Sequence, residues 1–238
     1  MASTSETGHY KNIANFNLLR EHCITIGADY NPSNTTIQLP GLLLAYTTVF
    51  NQHQAVNTAK QPFIDAVNQR EIAFIDMAKL ATRTFNALAA SANIQPNILD
   101  DARTILRKIR GKRASKTIPE SEIQISVSQR SYDNLYDHFS EFVALVSAVP
   151  TYTPNEPQLQ TMQLQAFAAN LLAKNNAFNQ TSTLYTKARI TRNTDLYHPQ
   201  NGLVALAGAV KAYIKSAFGG NSSAYQTVGA IKFTKQKI

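Results

Sequence analysis

Residues 30–42 read YNPSNTTIQLPGL, and residues 152–164, 122 positions further on, read YTPNEPQLQTMQL. Both stretches carry Tyr-x-Pro, a short polar run and then spaced apolar residues: Tyr30, Pro32, Ile37 and Leu42 in the first, Tyr152, Pro154, Leu159 and Leu164 in the second. Sliding the chain against itself by 122 keeps register without a gap from about Tyr10 to Ile75. Ten of these 66 positions are identical, among them Tyr10/Tyr132, Asn12/Asn134, Gln38/Gln160, Asn57/Asn179 and Arg70/Arg192. Chance alone gives roughly four, so identity suggests an internal repeat and side-chain type has to decide it.

After each Tyr-x-Pro the positions seven apart read Leu42, Val49, Val56, Phe63, Arg70 and Leu164, Leu171, Phe178, Tyr185, Arg192. A seven-residue apolar stripe sustained over four steps is the pattern of a long helix packed lengthwise on a neighbour, and a strand cannot produce it. Each half is therefore expected to hold a first helix (about 10–26 and 130–148), a Tyr-x-Pro turn and a long helix (about 36–75 and 157–197). A third helix (about 78–92 and 203–218) and a short last one (about 98–110 and 223–231) follow. Pro40 and Pro62 are expected to kink or interrupt the first long helix, since proline removes an amide donor and crowds the preceding turn. HPQNG at 198–202 ends the second long helix. EIQISVSQ at 122–129 alternates apolar and polar residues, as a short strand or an extended lead-in does.

The expected fold is all-α: two tandem divergent helical repeats whose long helices pack in an elongated bundle. The first repeat covers 1–110, a basic and polar linker 111–128, and the second repeat 129–238. Tyr-x-Pro-Asn-Glu at 152–156, ARITRNTDLYHPQNGLV at 188–204, VKAYIKSAFGGNSSAY at 210–225 and KIRGKR at 108–113 resemble a two-repeat helical family of hypothetical proteins from Bacteroidota. The resemblance implies a repeat architecture and a bacterial cytoplasmic origin, and it carries over no functional residue.

Composition agrees with a folded helical protein: 238 residues, 44% hydrophobic, only nine Gly and nine Pro. The single cysteine, Cys23, excludes an intrachain disulfide framework and fits a reducing compartment. The N-terminus has no basic start followed by an apolar core, so no secretory signal is expected. The longest greasy run, LPGLLLAYTTVF at 39–50, falls short of the roughly 20 residues that span a bilayer. The expected location is the cytoplasm, without a membrane partner.

The formal charge of +8 is concentrated. RKIRGKRASK at 107–116 holds Arg107, Lys108, Arg110, Lys112, Arg113 and Lys116, and KFTKQKI at 232–238 holds Lys232, Lys235 and Lys237, with no acid in either. Outside them 14 bases face 15 acids. Clustered cations of this kind displace counterions from a phosphate backbone, which makes nucleic acid a candidate partner. Aromatic residues for base stacking are missing from the first segment, and a solvated linker explains it as well.

Catalytic chemistry is sparse. Cys23 answers Leu145 in the other half, which places it on an apolar helix face as a small core residue rather than a nucleophile. The five histidines, His9, His22, His53, His138 and His198, lack metal-ligand spacing and read as surface or helix-end residues. FGGNSS at 218–223 reads as a helix stop followed by a Ser cap rather than an anion cradle. Asp100 and Asp101 suit the start of the short helix. Arg70 and Arg192 read either as stems lying along the helix with heads reaching solvent or a local acid, or as a grip on an acidic ligand or a shared carboxylate across the bundle. Asn57 and Asn179 read as a buried register pairing or as surface residues. The expectation is a protein without enzymatic activity or cofactor: a structural or scaffold protein that binds itself or another protein through long helical surfaces. The alternative is a nucleic-acid-associated protein using the two basic segments.

Overall fold

The computed structural model describes residues 8–112 and 130–234. In chain order the helices are α1 (His9–Ile26), α2 (Leu39–Ile75), α3 (Met77–Ala89), α4 (Pro96–Ile109), α5 (Tyr132–Ser147), α6 (Thr161–Tyr197), α7 (Leu203–Phe218) and α8 (Ser223–Ala230), and among the described residues there is no strand. The stretch 122–129 lies outside the described residues, as do Arg113, Lys116, Lys235 and Lys237.

The Tyr-x-Pro stretches resolve into short 3-10 turns, Thr35–Ile37 and Pro157–Leu159, that lead into α2 and α6. The two long helices are each 37 residues, and their starts are 122 positions apart. Asn34 Oδ1 caps the first turn by accepting from the Thr36 amide at 3.0 Å. Gly41, in the first turn of α2, sits where a Cβ would lie 2.5 Å from the Thr35 carbonyl oxygen and 2.6 Å from that of Thr36. Only glycine lets the helix start so close beneath the turn.

Pro40 does not interrupt α2, because it falls in the first turn, where an amide hydrogen has no helical partner to lose. Pro62 lies inside the helix, exposed, and the helix runs on through it to Ile75. At the other long helix, α6 stops at Tyr197 and the chain passes through 198–202 before α7. The FGGNSS stretch is a stop and a restart. Gly219 ends α7 at φ 88°, and Ser222 Oγ caps α8 by accepting from the Tyr225 amide at 3.1 Å. Asp100 and Asp101 lie past the first turn of α4, which begins at Pro96. Asp100 instead pairs with Arg103 at 2.5 Å.

The chain packs as two compact units, residues 1–62 with 182–238, and residues 63–181. These units cut across the division at 110 and 129 read from sequence likeness, because each core is assembled from both halves. In the first unit Ile13, Phe16, Leu19 and Cys23 of α1 and Leu42 and Val49 of α2 share a core with Leu203, Ala207, Val210 and Ile214 of α7 and Val228 of α8. In the second, Phe139, Phe142, Val143 and Val146 of α5 and Leu164 and Leu171 of α6 share a core with Phe74, Met77, Ala81, Leu88, Ala102, Ile105, Leu106 and Ile109 from α2, α3 and α4. Each large apolar side chain so buried contributes about 1.5–3 kcal/mol, and each core draws these faces from helices of both halves.

The helix pairings are alike. In the first unit α1 packs on α7 and α8, and α7 touches the turn before α2. In the second, α5 packs on α3 and α4, and α3 touches the turn before α6. Within the second unit α2 and α6 run antiparallel: the Phe63 and Phe178 rings are 5.9 Å apart, and Lys174 Nζ donates to Gln69 Oε1 at 2.9 Å.

Candidate functional site

The stripe ends in an arginine on each long helix, and the two arginines meet different surroundings. Arg70 stacks its guanidinium over two rings, 3.4 Å from the Phe178 centroid and 4.3 Å from that of Tyr132. Its buried Nε has no hydrogen-bond partner among the described residues. The aromatic faces supply the negative potential that a carboxylate otherwise would.

Arg192 is 7% exposed. Its Nε and Nη2 both donate to Asn193 Oδ1, at 3.1 and 2.8 Å. Burial pulls its pKa below the ordinary arginine value, nearby Tyr197 opposes this, and Arg189 adds to it. Among the described residues no carboxylate acts on it. Arg192 is buried, Arg70 is half-buried with its head stacked on rings, and neither pairs with an acid among the described residues.

Around Arg192, α1, α2 and α6 bring further polar groups together. His9 Nδ1 lies 2.9 Å from the Tyr197 hydroxyl. The ring of His53 stands 5.4 Å from that of Tyr10, and its buried Nδ1 has no hydrogen-bond partner among the described residues. Burial lowers the pKa of both histidines, and the Arg192 cation lowers each further. Both are neutral at pH 7.

Asn12, 1% exposed, fastens this corner to the end of the described chain. Its Nδ2 donates to the Thr234 carbonyl at 2.9 Å, and its Oδ1 accepts from the Thr234 amide at 3.0 Å. These residues hold together segments more than 180 positions apart. Nothing in the sequence signalled the convergence, because His9 and His53 have no counterpart histidine in the other half.

The remaining expected residues are dispersed. Asn57 and Asn179 are exposed, and the buried asparagines are Asn12 and Asn175, the latter donating to the Tyr132 carbonyl at 3.2 Å. His138 is also buried, contrary to the surface reading. Cys23 is fully buried, and desolvation pushes its thiol up to about 11. Of the basic segments, Arg107, Lys108, Arg110 and Lys112 belong to one unit and Lys232 to the other. Arg107 donates to Thr104 Oγ1 at 2.9 Å, and Lys108 approaches Glu141 at 3.9 Å. Arg107 and Lys108 occupy the last turn of α4, where positive charge complements the helix dipole.

Two open grooves lie on the second unit. One of about 480 Å³ is lined by Asp76, Lys79, Arg83, Gln158 and Phe167. Another of about 650 Å³ is lined by Arg83, Asn86, Thr153 and Glu156. Neither contains a histidine or cysteine.

No helix among the described residues is long and apolar enough to cross a membrane. In comparisons with known protein families, curated proteins and solved structures, the chain has no match.

Proposed function

We propose that this chain is a non-enzymatic scaffold that associates with further copies of itself through the exposed faces of its long helices. The observation that carries this reading is where apolar surface is left uncovered. Among the described residues eleven large hydrophobic side chains are exposed, and eight belong to α2 and α6: Leu43, Leu44, Ile72, Ile75, Met162, Leu172, Leu184 and Ile190. Single exposed apolar residues are ordinary. Here adjacent Leu43 and Leu44, and Ile72 and Ile75 one helical turn apart, concentrate them on the longest elements, as interaction surfaces do.

The reading includes a duplicated unit. It is supported by the equal lengths of α2 and α6, the 122-residue spacing of their lead-in turns, and the matching helix pairings in the two units. Duplicated units favour symmetric assembly. The test is substitution of Leu44, Ile72, Met162 and Ile190 by Lys, followed by sedimentation velocity. All four are exposed, so helicity and melting should stay near wild type while the assembled species disappear. Unchanged assembly in a folded variant would show that these faces are not the contact.

A further inference from the structure

The two units are built alike but closed differently. Residues 63–181 form one unit as a continuous piece of chain, with α4 and α5 consecutive. The other unit is closed from the two ends of the sequence: a head, α1 and the start of α2, meets a tail, the end of α6 with α7 and α8. The peptide between head and tail runs entirely through the other unit. Their closure is therefore non-covalent.

Its fastenings are specific. Besides the Asn12–Thr234 pair, Asn15 Nδ2 donates to the Lys232 carbonyl at 2.7 Å. The Tyr213 hydroxyl accepts from the Asn31 amide at 3.0 Å. The rings of Tyr30 and Tyr213 meet edge to face at 5.3 Å. Beneath these lies the apolar core of α1 against α7 and α8. Within that closure Arg192 of the tail is buried with no carboxylate on it among the described residues, a cost that opening relieves by hydration.

We propose that the same closure forms between molecules, the head of one copy seating on the tail of a second. This inference goes beyond contact between exposed helix faces and stands on the closure of this unit alone. Head and tail are different surfaces, so the contact is heterologous: it closes within one chain, in a ring of two, or continues as an open series. Within one chain the head meets its own tail at an effective concentration of order mM. Exchange between copies therefore competes only after closures have been opened and reclose in protein whose concentration approaches that value.

The experiment uses the full chain as two single variants, Asn15→Cys and Lys232→Cys, with native Cys23 buried. The two are mixed at high concentration, taken briefly to the foot of the urea transition, returned to buffer and treated with a short bis-maleimide. The doubly substituted chain, linked within itself, is the positive control. The expected result is a covalent dimer joined through positions 15 and 232, identified by peptide mass. An efficient internal link in the double variant, with no such dimer in the mixture, would overturn the inference. If light scattering on the same mixture shows growth without the 15–232 link, association uses another surface, so the inference fails while the scaffold reading stands. The link formed after the pulse, with untreated protein strictly monomeric, supports the exchange and removes the scaffold reading.

Discussion

Tyr30 and Tyr152, 122 positions apart, make the same bond: each buried phenol donates to the carbonyl seven residues ahead, Tyr30 to Ile37 at 2.6 Å and Tyr152 to Leu159 at 2.7 Å. The bond ties the Tyr-x-Pro stretch to the turn that launches the long helix, once in each unit. Replacing either tyrosine by Phe leaves a buried carbonyl without its donor, at about 1–2 kcal/mol each. Urea denaturation followed by exchange protection of each unit should locate the Tyr30→Phe loss in the first and the Tyr152→Phe loss in the second. A change below about 0.3 kcal/mol would mean water replaces the hydroxyl.

Neighbouring leucines on α6 set the core against the surface. Leu171 is 0% exposed and Leu172 39%. Leu171→Ala should cost about 2–5 kcal/mol, whereas Leu172→Ala should stay within about 0.5 kcal/mol. Equal effects in chemical denaturation would contradict the face assigned to this helix.

That face was legible in the sequence. Leu42, Val49 and Val56 and, in the other half, Leu164 and Leu171 sit on the seven-residue stripe, and all are buried. What the stripe could not give was pairing. Periodicity marks which side of a helix is apolar but not which apolar side it meets, and the two halves carry nearly the same stripe. Hence the assembly of each core from both halves was invisible. The arginines ending the stripe were visible as a pair, but their environments were not. Arg70 stacks on rings from other helices and Arg192 donates to its neighbour Asn193, and neither partner follows a spacing rule. Asn57 and Asn179 match in sequence, and both are exposed.

Acid should loosen the unit closed by the chain ends. His9 and His53 titrate below their ordinary value in the folded protein because burial and Arg192 disfavour the imidazolium. Between that lowered value and about 6.5 the unfolded chain binds more protons than the folded one, so stability rises with pH. The contribution is complete above about pH 6.5 and is lost as pH falls through the folded values. Melting temperature should decline from pH 7 to pH 5, and His53→Asn should flatten the decline. A variant with the wild-type profile would remove His53 from this account.

Cys23 should be inert while the chain is folded. Its thiol is buried and pushed up to about 11, so almost no thiolate exists at pH 8. A disulfide reagent such as Ellman's should react only on the timescale of unfolding and promptly in denaturant. Fast reaction in native buffer would contradict the packing of α1 against α7.

The most direct test of the self-association reading is mass by light scattering across a concentration series, at low and at high salt. Apolar helix faces predict growth beyond a dimer that persists or strengthens in salt. A monomer of 26.2 kDa at every concentration and salt would contradict it.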